Sequence, residues 1–245
     1  MSQHVPPQNR TERTATIRAD RARAERNKRI AITAAIVAVL AVIVTAGVWF
    51  SNGSSNPATG STGAPAVSVG NDSLIVGGNR NAKVKVVVYE DLLCPYCRQF
   101  ETSSRDFLHA DAAAGKVQVE YRPFQLLPDP YSKRALNAWG VVLKKGTPAQ
   151  ALKFHDLLYD NQPYESASNK PGVAALQALA KQAGVRQSVV DTLGTPFPGF
   201  YAAVQKAARG ANVQGTPTVL VNGKPLSGAT IDDMVIRLEK QIAAS

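Results

Sequence analysis

Cysteine is almost missing from this chain of 245 residues: there are two, Cys94 and Cys97. A pair with only two residues between them closes too small a loop to constrain the unfolded chain, so it does not staple a domain. Histidine is sparse as well, with His4, His109 and His155 scattered singly. Without a second C-x-x-C or an H-x-x-x-H, the ligand set of a structural zinc site is absent, and neither a metal nor another cofactor is expected. The chain also lacks a dense basic stripe with interleaved aromatics. Its formal charge is +10, but residues 1–50 carry eight Lys/Arg against three Asp/Glu, and the remaining net charge of +5 comes from twenty Lys/Arg against fifteen Asp/Glu spread over residues 51–245. Nucleic acid is therefore not an expected partner. With 44% hydrophobic and 19% charged residues, wholesale disorder is excluded. What remains for two lone cysteines is redox chemistry.

Charge is wholly missing from one stretch, Ile30–Phe50, an apolar run of 21 residues. As a helix it would be about 31 Å long, the thickness of a bilayer core. Trp49 and Phe50 at its end suit an interfacial aromatic belt. All eight of the early Lys/Arg precede it and none follows until Arg80, which places the N-terminus in the cytoplasm and the rest outside. A cleaved signal peptide competes with an uncleaved anchor, but its apolar core is normally about 7–15 residues long. The expected organisation is a basic cytoplasmic tail (1–29), a transmembrane anchor (30–50), a flexible Gly/Ser/Thr/Pro linker (51–68) and a catalytic domain (69–245).

That domain reads as α/β. Lys83–Tyr89 alternates and then becomes a solid apolar run, as for a buried strand. A helix from Pro95 to about His109 follows, and then a strand, Val117–Leu127. Helices are expected over Tyr131–Lys145, from the Thr147-Pro148 cap to about Tyr159, over Gly172–Ala183, Gln187–Leu193 and Phe200–Ala211. Thr218–Val221 is a strand, Asn222-Gly223 a type I′ turn into Lys224–Leu226, and Thr230 caps a last helix, Ile231–Ala243.

Strand, short loop, Cys94-Pro95-Tyr96-Cys97 and helix is an arrangement that makes a thiol reactive. The thiolate is the nucleophile, and unpaired N–H groups at a helix start stabilise it on Cys94. Cys97, one turn further in, lies close enough to close a disulfide with Cys94 and to resolve mixed disulfides. A low Cys94 pKa stabilises the reduced form and makes the disulfide a stronger oxidant. Tyr96 offers a hydroxyl where a histidine could add charge, so the expected potential lies between about −270 and −120 mV. His155 on its helix and Arg122 on its strand read as structural, and Asp156 and Lys144-Lys145 as solvated.

Val86–Cys97 (VVVYEDLLCPYC), Tyr121–Leu127 (YRPFQLL), the helix with Ala135 and Ala138, Phe154–Leu158 (FHDLL) and Gly215–Gly223 (GTPTVLVNG) together resemble the DsbA-like branch of the thioredoxin superfamily. The resemblance covers nearly all of residues 75–243. It implies a thioredoxin fold with an inserted α-helical domain, here at about 130–195. It further implies that Pro217 is a cis proline against the cysteine pair and that the Thr216 backbone pairs with a bound substrate strand. Threonine there, where strong oxidases of the family often have valine, departs from the strongest-oxidase pattern. Asp91 matches an acidic residue of the D-x-x-C-P-x-C pattern, with Glu90 beside it. Such a carboxylate either raises a thiol pKa and relays protons, or caps a loop.

The function expected on these grounds is an extracytoplasmic protein disulfide oxidoreductase that introduces disulfides into secreted or membrane clients. The resemblance adds a quinone-linked membrane partner that would reoxidise it. A reductase of the same fold is the alternative. An isomerase would usually need an added dimerisation domain, for which Val69–Lys83 is too short. From another class, the chain could be a tethered binding or chaperone module whose C-x-x-C is incidental.

Overall fold

The structure, a computed structural model, describes residues 64–245. The expected tail, the anchor and all of the linker before residue 64 lie outside the described residues. Among those described, no helix is long and apolar enough to cross a membrane.

Six strands form one sheet: β1 (Val67–Val69), β2 (Leu74–Val76), β3 (Val84–Glu90), β4 (Val117–Pro123), β5 (Thr218–Val221) and β6 (Lys224–Pro225). Their order is β1-β2-β4-β3-β5-β6, with β3 and β4 parallel and every other pair antiparallel. The parallel pair needs a crossover, supplied by α1 (Pro95–Ala113). β3 is central and buried, with Val84, Val86, Val88, Tyr89 and Glu90 all inside. β1 begins at Val67, which pairs with Val76, so the domain starts inside the stretch expected to be linker. The strand expected over Val117–Leu127 stops at Pro123, and residues 124–129 turn away as a loop. Proline has no N–H to carry a ladder further.

Between β4 and β5 the chain makes five helices: α2 (Pro130–Lys145), α3 (Pro148–Asp160), α4 (Val173–Gln182), α5 (Gln187–Val190) and α6 (Pro198–Gly210). The caps follow the sequence closely. The Asp129 side chain accepts from Tyr131 N at the head of α2. Thr147 and Gln150 form a capping box on α3, with Pro148 at its first position. α2 is buried on all sides over residues 138–143, and Trp139 and Leu136 are fully buried. Gly140 is what lets α6 approach, because a Cβ there would run into the Phe200 ring. Truncating Trp139 in such a core costs about 3–5 kcal/mol by the general behaviour of buried aromatics.

The last helix, α7 (Ile231–Ala243), starts at Thr230, whose Oγ1 accepts from Asp233 N at 3.1 Å, and it packs on α1. Asn222 and Gly223 both have positive φ (50° and 78°), as the turn chemistry requires. Asn222 also ties the hairpin to β3, its Oδ1 accepting from Lys85 N at 2.8 Å. Asp156, expected to be solvated, is instead only 16% exposed and lies 3.4 Å from Arg105. Lys144 and Lys145 are exposed, as expected, and Lys144 also pairs with Asp72 at 3.0 Å.

Candidate active site

Cys94 ends the loop after β3 and is the N-cap of α1, with Pro95 at the first helical position. No side chain caps this helix, so its free N–H groups face the sulfur region. Cys94 is 5% exposed and Cys97 1%. Both are free thiols, the reduced form of the pair. Cys97 lies on the buried face of α1 with Phe100, Glu101, Ser104 and Leu108, while Tyr96 points outward, 62% exposed.

The two sulfurs differ in acidity. The hydrogen bond that the Cys97 thiol donates to Cys94 is the largest influence, and with the Thr216 side chain and the N–H groups of Cys97 and Tyr96 it brings Cys94 from 9.0 down to about 6 against the opposing cost of burial. Burial pushes the Cys97 thiol well up, and the neighbouring Cys94 and Glu90 push it further. Cys94 Sγ lies 3.4 Å from the Thr216 carbonyl oxygen, to which the protonated thiol donates. The buried Thr216 Oγ1 has no other partner and is the donor on hand once the proton leaves. The Thr216-Pro217 bond is cis. Thr216 thus bears on the sulfur through its hydroxyl as well as through its backbone.

Asp91 and Glu90 part company. The Asp91 carboxylate is fully buried and accepts from Leu93 N (2.8 Å), Leu126 N (2.7 Å), Leu127 N (2.8 Å) and Ser132 Oγ (2.8 Å). Of the two roles expected for it, loop capping is the one it fills: four donors occupy it, and it ties the Cys94 loop to residues 126–132. Its carbonyl accepts from Cys94 N at 3.0 Å. Glu90 is equally buried but faces elsewhere, 2.6 Å from His155 Nε2, with Glu101 on α1 close by. His155 rests on the Tyr121 ring at 4.6 Å between centroids, so its expected structural role holds.

Glu90, Glu101 and His155 bring one donor atom each within 4.8 Å of one another, all fully buried, which is metal-like spacing. Protons can balance the group instead. Burial and the nearby Glu90 hold the Glu101 carboxyl up at about 8, and it is neutral at pH 7. Burial opposes a charge on His155, yet Glu90 and Asp156 outweigh it and carry its imidazolium to about 10. Glu101 starts from 4.5, so the stability its proton confers is complete below pH 4.5 and is lost as pH rises through about 8. His155 acts in the same direction, from 6.5 to about 10. We expect Glu101→Gln, which cannot ionise, to match the wild type near pH 4 and to exceed it in melting temperature by a margin that grows up to about pH 8 and stays at pH 9. Parallel melting curves across that range would mean that Glu101 holds no such proton.

One residue with no signal in the sequence completes the site. Gln162, just beyond α3, is 7% exposed, and its Nε2 donates to Leu92 O (3.2 Å) and Cys94 O (3.1 Å). The helical insertion thereby holds the turn that carries the reactive sulfur. Glu101 did carry a signal, its four-residue spacing from Cys97 on one helix face.

The comparisons with known proteins agree with this geometry. The Thioredoxin family matches residues 71–240. Among solved structures, the chain is 30% identical to reduced DsbA of Mycobacterium tuberculosis, covering 75% of this chain and 94% of that one at a TM-score of 0.57. It is 32% identical to the reduced disulfide bond oxidoreductase DsbG of Mycobacterium tuberculosis, over 69% of this chain and 82% of the other, also at 0.57. Among curated proteins it is 31% identical over 154 residues to the Na(+)/H(+) antiporter NhaA 3 of Salinispora tropica, 61% of this chain but 22% of the antiporter. The chain spans about a quarter of the length of the curated relatives it matches, 22% to 28%. A buried sulfur pair at a helix start, a cis proline against it and a helical insertion between β4 and β5 fall within the matched residues, and the chain belongs to the thioredoxin family, in its DsbA-like branch.

Proposed function

We propose that the domain is a thiol–disulfide oxidoreductase acting as an oxidase on secreted or membrane clients outside the cytoplasm. The observation that carries this is the asymmetry of the pair: Cys94 at about 6, facing Thr216, against Cys97 buried behind it with its thiol pushed well up. In the forward reaction a client thiolate attacks Cys94 Sγ of the Cys94–Cys97 disulfide. The S–S bond breaks, a client–Cys94 disulfide forms, and Cys97 leaves with the electron pair and takes up a proton. A second client thiolate then attacks the client sulfur, and Cys94 departs as the thiolate its surroundings stabilise. The client has lost two electrons, and the enzyme holds them as a dithiol.

Reoxidation calls for a membrane partner, quinone-linked by analogy with the family. The uncharged Ile30–Phe50 segment, with its preceding Lys/Arg, supports an anchor that would keep the domain beside such a partner. Pro95 shapes the helix start, Tyr96 is the exposed rim residue, and Thr216-Pro217 is the edge against which a client strand would lie.

The test is the equilibrium of the pair with a glutathione buffer, together with a thiolate titration of Cys94. The expected results are a potential well above the −270 mV typical of thioredoxin and a titration midpoint near pH 6. A potential close to −270 mV would turn the direction to reductase.

A further inference from the structure

One stripe of α2 is turned away from the core. Pro130, Lys133, Arg134 and Asn137 recur at the three- and four-residue spacing of a single helix face, and they wall a cavity of about 370 Å³. Facing them are Val173 at the head of α4, the loop ending at Phe197, and the first turn of α6. Beyond the stripe the lining is apolar, with Leu193, Phe197 and prolines among it, and the Tyr201 ring beside them.

The walls are held in place from within the fold. Asn137 Nδ2 donates to Leu193 O at 3.2 Å and to Thr195 O at 2.9 Å, and its Oδ1 accepts from Phe197 N at 2.6 Å. Phe197 stacks on Phe200, with ring centroids 5.7 Å apart. Where the loop passes α4, a Cβ on Gly194 would come within 3.2 Å of Val173 Cγ1, closer than ordinary contact. The cavity is therefore formed before anything enters it.

The charge around it has one sign. Lys133 and Arg134 are the charged side chains of the lining, and among the described residues neither has a carboxylate within ion-pair distance. Lys133 Nζ lies 5.2 Å from the centroid of the Tyr201 ring, which keeps it over the cavity wall. Arg134 donates through Nη2 to Pro171 O at 3.0 Å, while its buried Nε has no hydrogen-bond partner. Asp129, next to Pro130 in sequence, is already paired with Lys170 at 3.0 Å.

We propose that this cavity binds a small organic anion, with a flat apolar body of about two fused rings and one acidic head group set against Lys133 and Arg134. Its size follows from the volume: a cavity of about 150 Å³ holds one benzene ring, and this one is rather more than twice as large. Its shape follows from the walls, since aromatic and proline rings offer flat faces that pack well on another ring. Its sign follows from two cations without a carboxylate and one buried N–H without an acceptor, and an acidic head group supplies both. The site uses none of the residues that act on the sulfur pair, so it stands whichever way thiol exchange runs.

The experiment is a calorimetric titration of the full chain near neutral pH with three probes of one shape: naphthoate, naphthalenemethanol and naphthylmethylammonium. Naphthoate is expected to bind with a Kd on the order of 0.1 mM, as befits a ligand of this size. The neutral alcohol should bind about tenfold more weakly, and the cation more weakly still. Lys133→Gln is expected to weaken naphthoate about fivefold, the upper end for an ion pair open to solvent, and to leave the alcohol unchanged. Val173→Trp fills the cavity and should abolish binding of all three, with glutathione exchange at the wild-type rate as the check on its fold. Equal affinity for the three probes, or no measurable binding of naphthoate, would overturn the proposal. So would naphthoate affinity unchanged in Lys133→Gln, a readout that stands even if Val173→Trp does not fold. Naphthoate affinity that falls as protein concentration rises would show a second copy filling the cavity, and would overturn it too.

Discussion

Cys94→Ser is expected to end disulfide exchange, lowering the rate by about a thousandfold or more, because a serine hydroxyl neither ionises near neutral pH nor forms the S–S bond that carries the electrons. Cys97→Ala is expected to do something different. Its Cys94 thiolate can still attack a disulfide-bearing client, releasing the client's other sulfur as a thiolate, but nothing behind Cys94 can then attack the mixed disulfide. A client-linked species should therefore accumulate and run as a larger band under non-reducing conditions, collapsing on addition of reductant. The contrast matters because a binding or chaperone module would lose nothing in either variant. Full client folding with Cys94→Ser would favour that module over an enzyme. The low Cys94 pKa survives only in part in Cys97→Ala, since the neighbouring thiol is its largest support, so the variant's thiolate titration should move upward from about 6.

Asp91→Ala should be the most destabilising single change near the site. The carboxylate serves three backbone N–H groups and Ser132 Oγ, all within 2.9 Å and away from water. Removing it leaves buried donors unpaired, at about 1–3 kcal/mol for each that finds no water, and a total of about 3–5 kcal/mol is expected. Urea denaturation followed by tryptophan fluorescence would read this directly. Asp91→Asn should recover part of the loss, because one acceptor oxygen remains. A change below about 1 kcal/mol in Asp91→Ala would mean that water enters and replaces the carboxylate, and that the loop is not held as described.

Much of this was legible in the sequence, for definite reasons. β3 is a solid valine run and could hardly be anything else. The helices after residue 130 announce themselves through Asp129-Pro130, Thr147-Pro148 and Thr230, where cap chemistry and prolines coincide. β1 and β2 were missed because each is only three residues long, and β1 is set among Gly, Ser and Pro that read as linker. Their pairing comes from β4 and not from their own pattern. α1 runs past His109 to Ala113, through alanines that form helix readily but carry no periodic signal.

The site divides in the same way. Cys94, Cys97 and Thr216-Pro217 come together as their motifs imply. Asp91 was visible as an acid, but its role depends on Leu126, Leu127 and Ser132, which only the fold brings to it. Gln162 comes from the insertion, 68 residues beyond Cys94, and nothing in its local sequence marks it.

The near-complete burial of Cys97 has a consequence for timing. With Cys97 enclosed behind Cys94, which lies nearer the surface at 5% exposure against 1%, a client joins the enzyme through Cys94. Cys97 then stands beside that bond at an effective concentration set by the helix, far above that of any thiol in solution, with values of 10⁵ M or more known for well-oriented pairs. A client whose second thiol is slow to arrive is therefore returned, still reduced, by the enzyme's own sulfur. In the proposed oxidase direction the pair would act as a clock: clients that present their second cysteine before Cys97 strikes would leave oxidised, and the others would be let go unharmed to try again.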